Sequence, residues 1–439
     1  MKSRINCIHR PLPCFLILMA FLLSAGCGRN PNDSAEAGGD PALPVQDAVH
    51  RPALSGKSKV TAAFFGTVCA MYVWDDFTAP DADTRFEAVW KDAKALLTEI
   101  EDAVSVSKEG SDIERFNRLP EGGSIEISTH TAEIIKTAKA AFEDTGGLYN
   151  PCVFPLVDLW GFSPRFSGLD AGSELPISHT FPPEAEYIAA FAQLADFSAV
   201  DLIFRDDGTC VLKKGIPSVT VGGVTYQAQL DLGGIAKGYS ADAVTRLMAE
   251  HGYLYGYFTC GGSSLSLLKG REEDEGVYDL GIRKPRDGTG TEINYITVPV
   301  SECSLSTSGD YDHYRMKDGI RYCHIIDPYT GWPSNTPDEN GRQRGIATAT
   351  VIGEDAAYSD CMSTALCLMQ PDEAIDYINT RLADDMVILA LFDNLSDACE
   401  IITNMSPGQY TIENDFYYLA SDSENGQIFY TGSLFQDLF

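Results

Sequence analysis

The sequence predicts an α+β fold: one large domain in which mixed β-sheets are flanked by helices. Three observations predict it. Residues 84–104 and 129–144 carry apolar side chains at helical spacing. Around them, apolar β-branched stretches alternate with helical ones irregularly, without strict βαβ winding. No internal repeat and no second low-complexity linker follows Lys57, so residues 59–439 read as a single domain.

In chain order, residues 60–74 are apolar and β-branched enough for a strand. Residues 84–104 put Phe86, Val89, Trp90, Ala93, Leu96, Leu97, Ile100 and Val104 on one broad helical face. Residues 129–144 form a second amphipathic helix, ended by Gly146-Gly147, and residues 183–197 a third. Residues 219–232 are strand-like and residues 240–250 helical, with Gly252 as the stop.

The 439 residues are 44% hydrophobic and 10% aromatic, enough for a large buried core. Lys and Arg total 32 against 63 Asp and Glu, and the net charge of −31 argues against a nucleic-acid binder. An anionic ligand must therefore find local positive charge, from backbone N–H groups at a helix N-terminus, a lysine or a metal.

Residues 1–26 read as an export signal. Lys2, Arg4 and Arg10 form a basic region, and the apolar run over 14–23 is too short to span a bilayer comfortably. The ending Ser24-Ala25-Gly26-Cys27 resembles a bacterial lipobox. The expectation is cleavage before Cys27 and its lipidation, which leaves the protein anchored to the outer face of the cytoplasmic membrane. An ordinary cleaved signal and a periplasmic protein are the alternative. Residues 27–58, rich in Gly, Pro, Ala and Asp, read as a disordered tether. Of 12 Cys, nine remain after Cys7, Cys14 and Cys27, with no CxxC pair, so no regular disulfide framework is expected.

Four segments could carry chemistry. Asp231-Leu232-Gly233-Gly234-Ile235-Ala236-Lys237-Gly238-Tyr239 puts glycines on a strand-to-helix turn, where backbone N–H groups can approach an anion and Lys237 adds positive charge; a tight structural turn is the alternative. Asp360 and Thr364 are four apart at a helix start and share a face with Ser363 nearby. Carboxylate plus hydroxyl suits Mg²⁺, while helix capping by Asp360 and back-bonding by Thr364 would explain the pair structurally. His324 precedes the turn Asp327-Pro328-Tyr329-Thr330-Gly331 and could serve as a general base or be a satisfied strand histidine. Just upstream of that segment, Ser306-Thr307-Ser308-Gly309-Asp310-Tyr311 packs small hydroxyls and a Gly into a loop, which suits ligand binding or any polar loop. Finally, Gly146-Gly147-Leu148-Tyr149-Asn150-Pro151 and Trp160-Gly161-Phe162 offer a wall for a planar ring, or plain core packing.

In this order, these segments resemble the ApbE family of FAD:protein FMN transferases. Further matching pieces are Phe65-Gly66-Thr67, residues 105–117 with Arg115-Phe116-Asn117, Gly261-Gly262, and Gly281-Ile282 with Pro285. The resemblance implies Mg²⁺ held by Asp360, Thr364 and the Gly234 carbonyl, with Ser363 as a further ligand. It implies that His324 takes the proton from an acceptor Ser or Thr hydroxyl, that the hydroxyl attacks the FMN phosphorus of FAD, and that AMP leaves. Phe65, Trp160, Asp231, Lys237 and Ile326 match positions that contact the flavin or adenosine. Acceptors would be subunits of membrane redox complexes carrying a Ser/Thr flavinylation motif.

This chain departs from the family pattern at Ser107, where a Tyr is common, at Asn150 and Cys152, where Asp and Thr are, and at Phe65, where Met is. A Mg²⁺-dependent FAD pyrophosphatase giving FMN and AMP, and a non-catalytic FAD-binding lipoprotein, are the alternative functions.

Overall fold

The computed structural model describes residues 54–412, apart from 167–168, 170–172, 272–273, 287–293, 339 and 395. The expected signal, Cys27, nearly all of the tether and residues 413–439 lie outside the described residues.

The chain opens with strands β1 (Ser55–Phe64) and β2 (Thr67–Asp75), then α1 (Ala82–Val104), α2 (Asp112–Asn117), β3 (Ser124–Ile127) and α3 (Thr129–Asp144). Next come the short α4 (Phe154–Leu159), α5 (Ala185–Ala192), β4 (Val200–Phe204), β5 (Cys210–Lys214), β6 (Val219–Val221), β7 (Val224–Tyr226) and α6 (Gly233–Glu250). The second half contains β8 (Tyr255–Cys260), β9 (Ser264–Leu267), β10 (Tyr278–Arg283), β11 (Asn294–Val300), β12 (Ser304–Gly309), β13 (Tyr314–Lys317), β14 (Ile320–Cys323) and β15 (Arg344–Gly353). It ends with α7 (Ala356–Leu366), α8 (Pro371–Arg381), β16 (Met386–Asp393), β17 (Ser396–Thr403) and β18 (Thr411–Ile412).

The α+β class holds. The main sheet has eight strands in the order β1-β2-β8-β9-β12-β15-β16-β17. Its neighbouring strands all pair antiparallel, so this sheet is not mixed as expected. Both of its faces are covered. Along β16, Val387, Leu389 and Leu391 join the core with α3, α6 and α7, while Met386, Ile388 and Ala390 pack toward the small sheet of β10, β11 and β18. The period of two in side-chain direction, with both sides buried, explains why the strand is continuously apolar.

Several local expectations are corrected. The apolar run over 60–74 is a hairpin, because the chain reverses at Phe65 and Gly66, both at positive φ. Phe65 thus sits on a turn and not on a strand. β1 begins at Ser55, inside the stretch read as tether, and its pairing with β2 draws residues 55–58 into the sheet. The strand-like residues 219–232 are the short β6–β7 hairpin and an irregular approach to α6, and the third helix is only Ala185–Ala192. Ser306 to Gly309 is no loop but part of β12, in the interior of the main sheet. Among the described residues no helix is long and apolar enough to cross a membrane.

Candidate active site between helices α6 and α7

Helices α6 and α7 lie side by side because glycine lets them. A Cβ on Gly238 would sit 2.1 Å from the Ala356 carbonyl oxygen, so only a residue without one allows this approach. Asp242 of α6 accepts a hydrogen bond from the Ala356 amide at 2.7 Å, fixing the start of α7, and Asp355 caps that helix through the Tyr358 amide. Asp360 is therefore not the cap. It lies one turn into α7 and is 2% exposed.

The buried Asp360 carboxylate accepts hydrogen bonds from Ser306 Oγ at 2.9 Å and from the Gly238 amide at 3.3 Å. A regular helix would pair that amide with the Gly234 carbonyl, and Gly234 departs from helical geometry at φ −84°, ψ 17°. Gly234 and Thr364 face each other: a Cβ on Gly234 would lie 3.7 Å from Thr364 Oγ1 and 3.5 Å from the ring of Tyr149. Thr364 and Ser363 both back-bond to the Asp360 carbonyl at 3.0 Å. Ser308 Oγ lies 2.8 Å from Ser363 Oγ and 3.0 Å from Thr364 Oγ1. The cradle is thus lined by one carboxylate and several hydroxyls.

This donor set fits Mg²⁺. All its groups are hard oxygen donors, and a single carboxylate leaves most of the shell for water or substrate phosphates. Among the described residues no group of three or more His, Cys, Asp or Glu side chains could hold a metal on protein charges alone. The Asp360, Thr364, Ser363 and Gly234 grouping does not depend on such a cluster.

Lys237 supplies positive charge at this point. Its ammonium donates to the Gly233 carbonyl at 2.7 Å and stands 3.8 Å from Asp360. Asp231 is brought to the same turn, accepting from the Gly233 amide at 2.8 Å, while its own amide bonds to Pro151. Burial raises the Asp231 pKa; the Gly233 hydrogen bond and the Lys237 charge partly oppose that.

His324 follows directly on β14. Its ring is half-buried, with Nδ1 3.1 Å from the His313 carbonyl oxygen. A carbonyl can only accept, so Nδ1 carries the proton and Nε2 is left with a free lone pair. Burial, then the neighbouring His313 and more weakly Lys237, lower its pKa to about 4, only partly offset by the His313 hydrogen bond. The imidazole is therefore neutral at ordinary pH. The influence of Lys237 on this ring links it electrostatically to the α6 turn.

The remaining expected site residues sit further back. Trp160 is fully buried, stacks on Tyr322 with ring centroids 5.5 Å apart, and donates its indole N–H to the Gly331 carbonyl at 2.9 Å. It packs against the turn after His324 and has no open face for a flavin in this conformation. Ile326 is buried in the same cluster and bridges Pro333. Phe65 is half-buried, its amide donating to Glu101 at 2.6 Å. Ser107 is exposed, while Asn150 caps the following 3-10 turn through the Cys152 amide.

Sequence reasoning missed His313, and it placed Ser306 and Ser308 on a loop instead of the strand that turns their hydroxyls toward Asp360, Ser363 and Thr364. The signal for the serines is present: Ser304, Ser306 and Ser308 alternate with period two, which puts three hydroxyls on one face of a strand.

The profile of the ApbE family matches residues 65–389. The chain belongs to the ApbE family. Proteins called FAD:protein FMN transferase from Treponema pallidum and Vibrio cholerae are similar to it. The first is 28% identical over 306 residues, 68% of this chain and 75% of that protein. The second is 30% identical over 302 residues, 69% and 79% of the two chains. Among solved ApbE structures, the flavin transferase of V. cholerae superposes with TM-score 0.61 over 78% of this chain and 97% of the other, at 23% identity. The apo flavinyl transferase of Pseudomonas stutzeri gives TM-score 0.62 over 82% and 96%, also at 23% identity. At these identities the structural likeness establishes the ApbE fold.

Proposed function

We propose that this ApbE chain is an FAD:protein FMN transferase that moves FMN from FAD onto a Ser or Thr hydroxyl of an acceptor protein and releases AMP. Its relatives of that name cover over two thirds of the chain and support the transferase class. The observation that carries the finer reading is the meeting of Asp360, Ser363 and Thr364 of α7 with Gly234 and Lys237 of α6; the neutral His324 feels the Lys237 charge.

Asp360, Thr364, Ser363 and the Gly234 carbonyl would hold Mg²⁺, which when bound supplies Lewis-acid polarisation of the pyrophosphate. Lys237 neutralises phosphate charge within an acidic protein. His324 Nε2 accepts the proton of the acceptor hydroxyl. That oxygen forms the new bond to the FMN phosphorus, the pyrophosphate P–O bond breaks, and the AMP phosphate carries away the electron pair. Ser306 and the Gly238 amide keep Asp360 oriented, because each donates a hydrogen bond to its carboxylate. Trp160, by holding the Gly331 carbonyl, positions the turn that follows His324. We read the chain as exported and tethered through Cys27, so that acceptors in membrane redox complexes are within reach.

The test is to incubate the full chain with FAD, with and without Mg²⁺, and an acceptor protein bearing a Ser/Thr flavinylation motif. AMP release with an acceptor heavier by one FMN residue is the expected result. AMP with free FMN and an unmodified acceptor, across several acceptors, would identify an FAD pyrophosphatase. Bound FAD without AMP would identify a binding protein.

A further inference from the structure

Cys69 on β2 and Cys260 on β8 stand directly opposite each other in an antiparallel ladder. Their sulfurs are 3.6 Å apart and both side chains are fully buried. The phase of the ladder matters. The Gly261 amide donates to the Val68 carbonyl at 2.7 Å, and these two residues stand opposite each other one step along the same register. Hydrogen-bonded and non-hydrogen-bonded pairs alternate in such a ladder, so Cys69 and Cys260 form a non-hydrogen-bonded pair. Such pairs have Cα atoms about 4.5 Å apart, within the range of about 4.4–6.8 Å that a disulfide spans. Other described thiols meet different partners: Cys323 lies against Ser334 Oγ at 3.1 Å and Cys367 against the Ser308 carbonyl at 3.6 Å. Among the cysteines whose side chains are described, no other two thiols are in contact.

We infer that Cys69 and Cys260 form an oxidative modification site, closing to a cross-strand disulfide by exchange with a disulfide-bearing oxidant. One thiol attacks the oxidant's S–S bond, giving a mixed disulfide and one reduced thiol. The second cysteine then displaces the other half. The protein loses two thiol hydrogens and gains one S–S bond, and the oxidant leaves as two thiols. The hydrogen bond with Cys69 and then burial raise the Cys260 pKa well above its ordinary value. Exchange is therefore fast while β2 and β8 are still pairing and slow once the sheet is closed.

The bridge would tie the Phe65–Gly66 turn to the turn at Gly261 and Gly262. Ser264, at the start of β9, lies 2.9 Å from Ser306, the hydroxyl that orients Asp360. The cross-link thus lies beneath the candidate site, but its formation does not depend on the transfer reaction.

The test is to refold the full chain in mixed reduced and oxidised glutathione, alkylate the remaining thiols and map the peptides by mass. A Cys69–Cys260-linked peptide is expected, with a loss of two alkylated thiols relative to a dithiothreitol-treated control and a higher Tm than that control. Cys260→Ser and Cys69→Ser should each lose the linked peptide. Wild-type mapping decides the question even where a variant fails to fold. An alkyl label on both cysteines of the refolded, glutathione-treated protein, or a bond from either to another cysteine, would overturn the inference.

Discussion

The α6/α7 cradle and the His324 arm are built differently. In the cradle, Asp360 is buried and held by hydrogen bonds from β12 and α6. Gly238 sets the helix spacing against backbone, and Asp242 pins the start of α7. His324 by contrast hangs from a short segment between β14 and a turn. Its ring has one hydrogen bond, to His313, and the turn behind it is held by Trp160 and by Asp327, which accepts from Thr330 Oγ1 at 2.9 Å. A metal ligand needs fixed geometry, whereas a proton acceptor that meets a second protein works from a half-exposed position. Substitutions in the two regions should therefore fail in different ways.

The largest expected effect is in the cradle. Asp360→Asn keeps shape but removes the one carboxylate, and with it several kcal/mol of transition-state stabilisation, so turnover should fall on the order of 10³-fold or more. AMP release measured across a Mg²⁺ titration checks this; wild-type turnover in the variant would remove Asp360 from the metal site. On the arm, His324→Ala should slow transfer by about 10²–10⁴-fold with FAD affinity nearly unchanged. If FAD binding collapses instead, His324 is a binding residue and the two regions are one. The pH dependence sharpens the same contrast. His324 has its folded pKa lowered to about 4 from 6.5, so the unfolded chain binds more protons between those values. Its contribution to stability is full above about pH 6.5 and is lost as pH falls toward 4, and transfer should decline over the acid end of that window. A flat transfer rate through pH 4 would mean that His324 accepts no proton.

The sequence made one of these regions easier to read than the other. Helices α1 and α3 were legible to within two residues because a sustained 3.6-residue pattern is a local property. The Asp360 and Thr364 pair was legible for the same reason. That Gly234 would face Thr364 is a long-range contact, and no local pattern reports it; only the family resemblance did. β12 was misread because Ser and Gly are poor strand formers, although the alternation of Ser304, Ser306 and Ser308 was there to be seen. The hairpin at Phe65 and Gly66 was hidden because its turn lies inside an apolar run. Trp160 shows the limit in the other direction, since a Trp-Gly-Phe run suits a ligand wall and a core equally, and burial against Tyr322 and Phe181 decides for the core in this conformation.

Two smaller effects probe the links between the regions. Lys237→Ala removes a charge that faces both Asp360 and His324. It should weaken FAD by roughly tenfold, the loss of a charged contact of about 1.5 kcal/mol, and leave riboflavin binding unchanged. Equal losses for the two ligands would show that Lys237 does not sense phosphate. The smallest effect belongs to Trp160→Phe. The ring remains to pack against Tyr322, but the N–H donated to Gly331 is lost, and the buried carbonyl keeps no partner from this side chain. Stability should drop by about 1–3 kcal/mol, read as a lower urea midpoint. If Trp160 acts through the turn, the transfer rate should fall several-fold at saturating FAD while FAD affinity holds, because the His324 arm is displaced and the cradle is not. A variant that instead loses FAD affinity at an unchanged rate would place the indole against the flavin, which requires Trp160 to leave its core position when the ligand enters.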